Sequence, residues 1–501
     1  MDDQHAGPTS SEDAAALSRR LVLKGLGAFA AGTALAACSS SAKAKPHAAA
    51  TTVPTLPRAT TTTTATIRRP GSLPNPRLPE GTDTMPQIEH IVVLMMENHS
   101  YDDHFGMLKR GDGFKLGPDG LPLDANLHTE PGKLLKAFHM PSTCQLHAHP
   151  AQDWNSSHTA YNNGRNDGFV KGSGPVAMGY WDGRDIPFYY GLAQTFPVAD
   201  RYFCSVLAQT YPNRRFLVAG TAAGIISTSG PDLVAPEPHN GTIFERLDTY
   251  GITWRNYYND LPAAVGVIPT VLAKHPHQIA KASQFVTDAA EGKLPSVSYV
   301  DPNFGIQSEE NPQDIRQGER FAAAIINAAM HGPAWAKTVL IWTYDEHGGY
   351  YDHVPPPPAI KPDGIPPEIH VPQNLPGAYD RYGFRVPAVI VSPHARPNYV
   401  SHVVHDHTSV LKLIETKWNL GALTYRDANA DDLLDSLDFA SKPPFLEPPT
   451  LPSPALPAST EIDPSSDATD RCSPGEPGGT IPPLNAIVSA DEAPRLRVGA
   501  S

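Results

Sequence analysis

The chain has 501 residues, 40% of them hydrophobic and 18% charged, so it is long enough for a large core and sparser in charge than the ~25% usual for soluble domains. Its 52 acidic against 39 basic residues give a net charge of −13, which argues against non-specific attraction to nucleic acid or to an anionic membrane and leaves no nucleic-acid partner in view. The 53 prolines gather near both ends and after position 353, a pattern of loops and linkers.

Residues 1–38 read as a targeting segment outside the fold. Ser18-Arg-Arg-Leu-Val-Leu-Lys24 resembles a twin-arginine export signal, an apolar stretch follows from Gly25 to Ala37, and Leu35-Ala-Ala-Cys38 resembles a lipobox in which Cys38 becomes the acylated first residue. The stretch is short for a membrane span of ~20 residues. The expected location is therefore the extracytoplasmic face of a bacterial cell envelope, with the membrane held through lipidated Cys38. Residues 39–86, rich in Ala, Ser, Thr and Pro, read as a flexible tether. Residues 87–445 read as the folded body, and 446–501 as a proline-rich tail that wraps the surface or stays disordered. Besides Cys38 there are Cys144, Cys204 and Cys472, an odd number for an oxidising compartment, and the preferred disulfide joins Cys144 to Cys204 because both lie in the body.

Within the body the apolar run Ile91–Met96 predicts a strand buried on both faces that ends abruptly in Glu97, Asn98 and His99. Gly251–Tyr258 and Pro295–Val300 predict further strands, the second running into Asp301. Asn311-Pro312 opens a helix whose apolar positions include Phe321, Ile325, Ile326 and Met330, and Gly332-Pro333 stops it. Thr338–Tyr344 and Val386–Ser392 are strands again, and Thr408 can cap a last helix ending at Trp418. This alternation predicts an α/β fold, a doubly wound α/β/α sandwich with loop-rich and proline-rich insertions.

The strand Thr338–Tyr344 runs into Asp345 and Glu346, then into Gly348-Gly349, where a backbone can approach closely. Two buried strands ending in Glu97/Asn98 and Asp345/Glu346 would bring four oxygen donors together. Such a set suits one divalent metal ion, Mg, Ca, Mn or a carboxylate-held Zn. Thr210 precedes Pro212-Asn-Arg-Arg-Phe216, which can start a helix, so Thr210 would sit at the positive end of a helix dipole that favours phosphate and a developing alkoxide. A simple helix cap is the plainer role for it.

Four motifs in order carry a resemblance: Glu97-Asn-His-Ser-Tyr-Asp-Asp-His-Phe-Gly106, Thr210-Tyr-Pro-Asn-Arg214, Tyr344-Asp-Glu-His-Gly-Gly-Tyr-Tyr-Asp-His-Val354 and Asp406-His-Thr-Ser409. Together they resemble the bacterial and plant phosphoesterase family of non-specific phospholipases C and related acid phosphatases, itself similar in fold to the alkaline phosphatase superfamily. The resemblance implies that Glu97, Asn98, Asp345 and Glu346 hold the metal and that Thr210 is the nucleophile. Asn213 or Arg214 would steady phosphate oxygens. His353 and His407 match family positions and are the candidates for the general acid. Two places depart from the family: Gln152, where members tend to carry a histidine before Trp154, and Glu309-Glu310, where members often carry one before the Asn311 helix. The implied activity is cleavage of a phospholipid to diacylglycerol and phosphorylated head group. An acid phosphatase acting on soluble phosphomonoesters is the alternative within the enzymes, and a non-catalytic surface-binding lipoprotein the alternative outside them. A lipid substrate calls for an apolar rim, for which Gly179-Tyr-Trp-Asp182, Pro187-Phe-Tyr-Tyr190 and Pro355–Pro358 are the candidates.

Overall fold

The continuous apolar run becomes β1 (His90–Met96), buried from its second residue onward as expected of a strand covered on both faces. The computed structural model of the chain describes residues 66–145, 149–228, 237–456 and 481–500. In it β1 lies inside an eight-stranded sheet with β2 (Val198–Ala199), β3 (Trp254–Tyr258), β4 (Ile279–Lys281), β5 (Val297–Asp301), β6 (Thr338–Tyr344), β7 (Ala388–Val391) and β8 (Val400–Ser401), in the order β8-β2-β7-β6-β1-β5-β3-β4. All neighbours run parallel except at β7, which is antiparallel to both β6 and β2. The fold is thus mixed α/β around a large central sheet. Among the described residues no helix is long and apolar enough to cross a membrane.

Register decides where the chemistry goes. Met96 of β1 is paired with Tyr344 of β6, so the residues that follow each strand, Glu97-Asn98 and Asp345-Glu346, leave the sheet side by side. Five helices matter for the site: α1 (Tyr101–Phe105), α2 (Trp154–Tyr161), α3 (Thr210–Ala219), α4 (Ile315–His331) and α5 (His407–Trp418). The expected helix at Asn311-Pro312 begins instead at Ile315, because the Asp314 carboxylate accepts from the Arg316 N–H and caps it. Asp406, not Thr408, caps α5, in a reciprocal box with Ser409.

The ends of the chain depart from the sequence reading. Residues 66–86 belong to the body and not to a tether: Gly71 N–H donates to Ala422 O at 2.7 Å and Thr84 N–H to Lys417 O at 2.7 Å. In the tail, Ile487–Ser489 and Arg497–Val498 pair with Lys133–Lys136 and Asp124–Leu127 in a second, four-stranded sheet, and Arg497 forms an ion pair with buried Asp124. The targeting segment 1–38, the tether as far as residue 65, and residues 457–480 lie outside the described residues.

The expected Cys144–Cys204 disulfide is corrected. Cys144 is disulfide-bonded, but Cys204 is a free, buried thiol whose sulfur donates to Val206 O at 3.6 Å. The partner of Cys144 lies outside the described residues.

Candidate active site

Three strand ends converge. Beside Glu97-Asn98 and Asp345-Glu346 stands Asp301, the last residue of β5, on the other flank of β1. All five side chains are buried. Asn98 links the two strand ends: its amide nitrogen donates to Asp345 Oδ1 at 2.6 Å and Glu346 Oε1 at 3.2 Å, and its amide oxygen accepts from Gln152 Nε2 at 3.1 Å.

The charge balance of the cluster leaves room for a cation. Four buried carboxylates, Glu97, Asp301, Asp345 and Glu346, meet one guanidinium, that of Arg214, which pairs with Asp345 at 2.8 Å, Asp301 at 3.0 Å and Glu97 at 3.9 Å. Burial opposes the charge on Arg214, but Asp345, Glu97 and Asp301 overcome it and hold the guanidinium protonated. Burial also pushes the Asp345 carboxyl up to about 7, against the pull of Arg214 and with the help of Glu346. Glu346 is driven well above the usual carboxylate range by burial. One divalent cation held by Glu97, Asn98, Asp345 and Glu346 fits this excess of buried oxygen.

Two other buried clusters of acid and imidazole lie close in sequence to these ligands, His99/His104/Glu309 and Asp102/Asp352/His353. The carboxylates of both have partners of their own. Glu309 accepts from the hydroxyls of Tyr344 at 2.6 Å and Tyr189 at 2.5 Å, and Asp102 and Asp352 face the charge of Arg385.

Thr210 is the first residue of α3 and is buried to 7% exposure, with Gln209 as the preceding cap. One turn later on the same helix, Arg214 reaches the carboxylates, which ties α3 to the acidic cluster. Asn213 has another task. Its oxygen accepts from the N–H groups of Ser205 and Val206 at 2.8 and 3.0 Å, and its nitrogen donates to Ala208 O at 2.8 Å and Gln209 O at 3.1 Å. The amide is used up in clamping the loop that delivers Thr210, which leaves it nothing to offer a phosphate. Arg214, expected at the phosphate, is engaged by the carboxylates.

The two histidine candidates are likewise committed. His407 Nε2 donates to Asp345 O at 2.7 Å and its Nδ1 faces the Tyr202 hydroxyl at 3.4 Å; burial pushes its pKa down to about 4, so it holds Asp345 in place as a neutral ring. His353 contacts Asp102 at 2.7 Å through Nδ1 and Asp112 at 3.2 Å through Nε2. Burial opposes its charge, but Asp102 and Asp112 outweigh that and raise it to about 9. All four ring nitrogens thus have partners among Asp345, Tyr202, Asp102 and Asp112.

The two departures from the family pattern meet in space. Gln152 Nε2 lies 3.4 Å from Glu310 Oε1 and 3.1 Å from the Asn98 amide, so both sit on one wall of the oxygen cluster. Sequence reasoning missed Asp301 as a member of the site, although its signal, an apolar strand closing on a carboxylate, was the one used for Glu97 and Asp345. The candidate lipid-lining aromatics are core instead: Trp181, Phe188 and Tyr189 are buried, with Trp181 Nε1 donating to Ser142 O at 3.0 Å.

The chain is similar to known proteins. The chain is 31% identical over 460 residues to phospholipase C B of Mycobacterium tuberculosis, covering 79% of this chain and 84% of the relative. It is 30% identical over 376 residues to non-specific phospholipase C1 of Arabidopsis thaliana, covering 68% and 69%. A protein in the alkaline phosphatase superfamily from Vibrio parahaemolyticus aligns at 12% identity with a TM-score of 0.30, covering 66% and 77%. Residues 88–421 match the phosphoesterase family, which takes in every element of the site, so the chain belongs to that family and is a phosphoric ester hydrolase.

Proposed function

We propose that this chain cleaves phospholipids in the manner of a phospholipase C, through Thr210 as nucleophile and with one divalent cation held by Glu97, Asn98, Asp345 and Glu346. The observation that carries this reading is the Met96–Tyr344 register, which sets four oxygen donors side by side with the N-terminus of the Thr210 helix tied to them through Arg214 and Asp345. The phospholipase C relatives supply the substrate class.

When bound, the cation supplies Lewis-acid polarisation of the phosphoryl group and favours the ionised Thr210 hydroxyl. The residues do the rest. Thr210 Oγ attacks phosphorus, the bond from phosphorus to the diacylglycerol oxygen breaks, and the head-group phosphate is left on Thr210. The N–H groups opening α3 face the charge that develops. Arg214 holds Asp345 and Asp301, and His407 holds the Asp345 backbone. A proton must reach the departing oxygen, and with His353 and His407 committed we assign it to Glu310, the acid that lies beside Asn98 through Gln152. Water then attacks phosphorus and gives its proton back to Glu310, the bond from phosphorus to Thr210 Oγ breaks, the phosphorylated head group leaves, and the Thr210 oxygen takes up from solvent the proton it gave up on attack.

We also propose export by the twin-arginine route and anchorage through acylated Cys38 on the extracytoplasmic face of the cell envelope. That reading rests on residues 18–38; the disulfide at Cys144 agrees with an oxidising compartment.

The test compares release from phosphatidylcholine with release from a soluble phosphomonoester, each with and without chelator. Diacylglycerol formation abolished by chelator is expected. Turnover of the monoester alone would replace the phospholipase reading with a phosphatase, and full rate in chelator would remove the metal from it.

A further inference from the structure

Residues 362–377 form an irregular strap carrying five prolines and no lysine or arginine. At its tip a turn is closed by reciprocal bonds, His370 N–H to Asn374 Oδ1 at 2.9 Å and Asn374 N–H to His370 O at 2.8 Å. The turn presents Val371, which is 76% exposed, and just beyond it Leu375 is 41% exposed. Pro372 and Pro376 beside them are also exposed, while Ile365 and Ile369 sit half-buried beneath. Large apolar side chains held out on a stiff turn lose little conformational entropy on being covered, so they suit contact with another surface.

The strap is tied to both walls of the candidate active site. On one side Glu368 N–H donates to Gly224 O at 2.8 Å, in the segment that returns from α3 to its start, where Thr228 N–H donates to Gln209 Oε1 at 3.1 Å. On the other side Leu375 N–H donates to Asn155 Oδ1 at 2.7 Å and Trp154 Nε1 to Leu375 O at 2.8 Å. Trp154 opens α2 two residues after Gln152, the neighbour of Asn98.

We propose that this turn inserts Val371 and Leu375 into the acyl region of a phospholipid surface and so brings head groups to the Thr210 pocket. The inference rests on the phospholipase reading for its occupant. Charge decides the kind of lipid contact: the strap contributes Asp363 and Glu368 and no lysine or arginine, and the whole chain carries −13 with its histidines neutral. Attraction to anionic lipid is therefore disfavoured, and apolar insertion into a zwitterionic surface is what the composition permits.

The experiment uses full-length protein carrying Cys38→Ser, which has no acyl chain, and phosphatidylcholine vesicles sedimented in the cold. Val371→Ser/Leu375→Ser is expected to weaken vesicle binding at least about tenfold, equally at about 0.1 M and about 1 M salt. Turnover of water-soluble p-nitrophenylphosphorylcholine and the melting temperature are expected to stay unchanged. Val371→Trp is expected to tighten binding. Equal binding by parent and double variant, binding abolished by salt, or a parent that does not bind at all would overturn the proposal. A parent that binds through Val371 and Leu375 yet releases no diacylglycerol would instead sink the phospholipase reading and leave the insertion standing.

Discussion

Arg214 Nε donates to Asp345 Oδ2 at 2.8 Å, and this one bond ties the helix that carries Thr210 to the strand end that carries two of the cluster's oxygens. Both partners are buried, so removing the guanidinium leaves charge without a counter-ion. Arg214→Ala is expected to cost about 3–5 kcal/mol of stability, read as a shift in urea midpoint, together with loss of turnover. Arg214→Lys, which keeps the charge but not the planar fork, is expected to fall between the two.

Four carboxylates facing one guanidinium should repel one another when no cation is bound. Exhaustive chelation is expected to abolish turnover and lower the melting temperature, and a divalent cation at about a hundred times its dissociation constant should restore about 2.7 kcal/mol. Calorimetry of the chelated and reloaded protein checks this, and an unchanged melting temperature would speak against a cation at this cluster.

Glu310 and His353 are separated by opposite responses. Glu310→Gln is expected to lower kcat by about 10²–10⁴ with little change in stability. His353→Gln is expected to cost about 1–3 kcal/mol and to leave kcat within a few-fold, because His353 is bonded to Asp102 and Asp112 rather than turned to the pocket. Its elevated pKa of about 9 means that its contribution is complete below the unfolded value near 6.5 and is lost as pH rises through about 9.

Glu309 gives a pH dependence of its own. Burial raises its carboxyl to about 8, so between the unfolded value near 4.3 and about 8 the folded chain holds a proton that the unfolded chain has released. Stability attributable to this group therefore falls as pH rises across that window. Urea midpoints at pH 5 and pH 8 are expected to differ more in the parent than in Glu309→Gln, and equal slopes would contradict a buried, protonated Glu309.

How much of this was legible in the sequence depends on the range of the interaction. The strands ending at Met96 and Tyr344 were readable because central parallel strands are unbroken apolar runs, and polar residues at their ends stand out. The helix that opens at Thr210 was readable because Pro212 marks its first turn. The clamp that Asn213 makes on residues 205–209 was not legible because it depends on a loop shape that local propensity does not encode. The bonds of His353 were not legible because its partner Asp102 lies 251 residues away, and nothing near position 353 signals that both ring nitrogens are taken. The strands in the tail were missed for the same reason: Ile487–Ser489 is too short to identify without Lys133–Lys136 beside it.

The central claim is that Thr210 takes the head-group phosphate from the lipid. Rapid acid quench of the metal-loaded protein turning over phosphatidylcholine, followed by peptide mass analysis, tests it directly. We expect phosphocholine on the peptide containing Thr210, absent from Thr210→Ala, which should also lose turnover. An unmodified peptide together with near-normal turnover by Thr210→Ala would contradict the assignment.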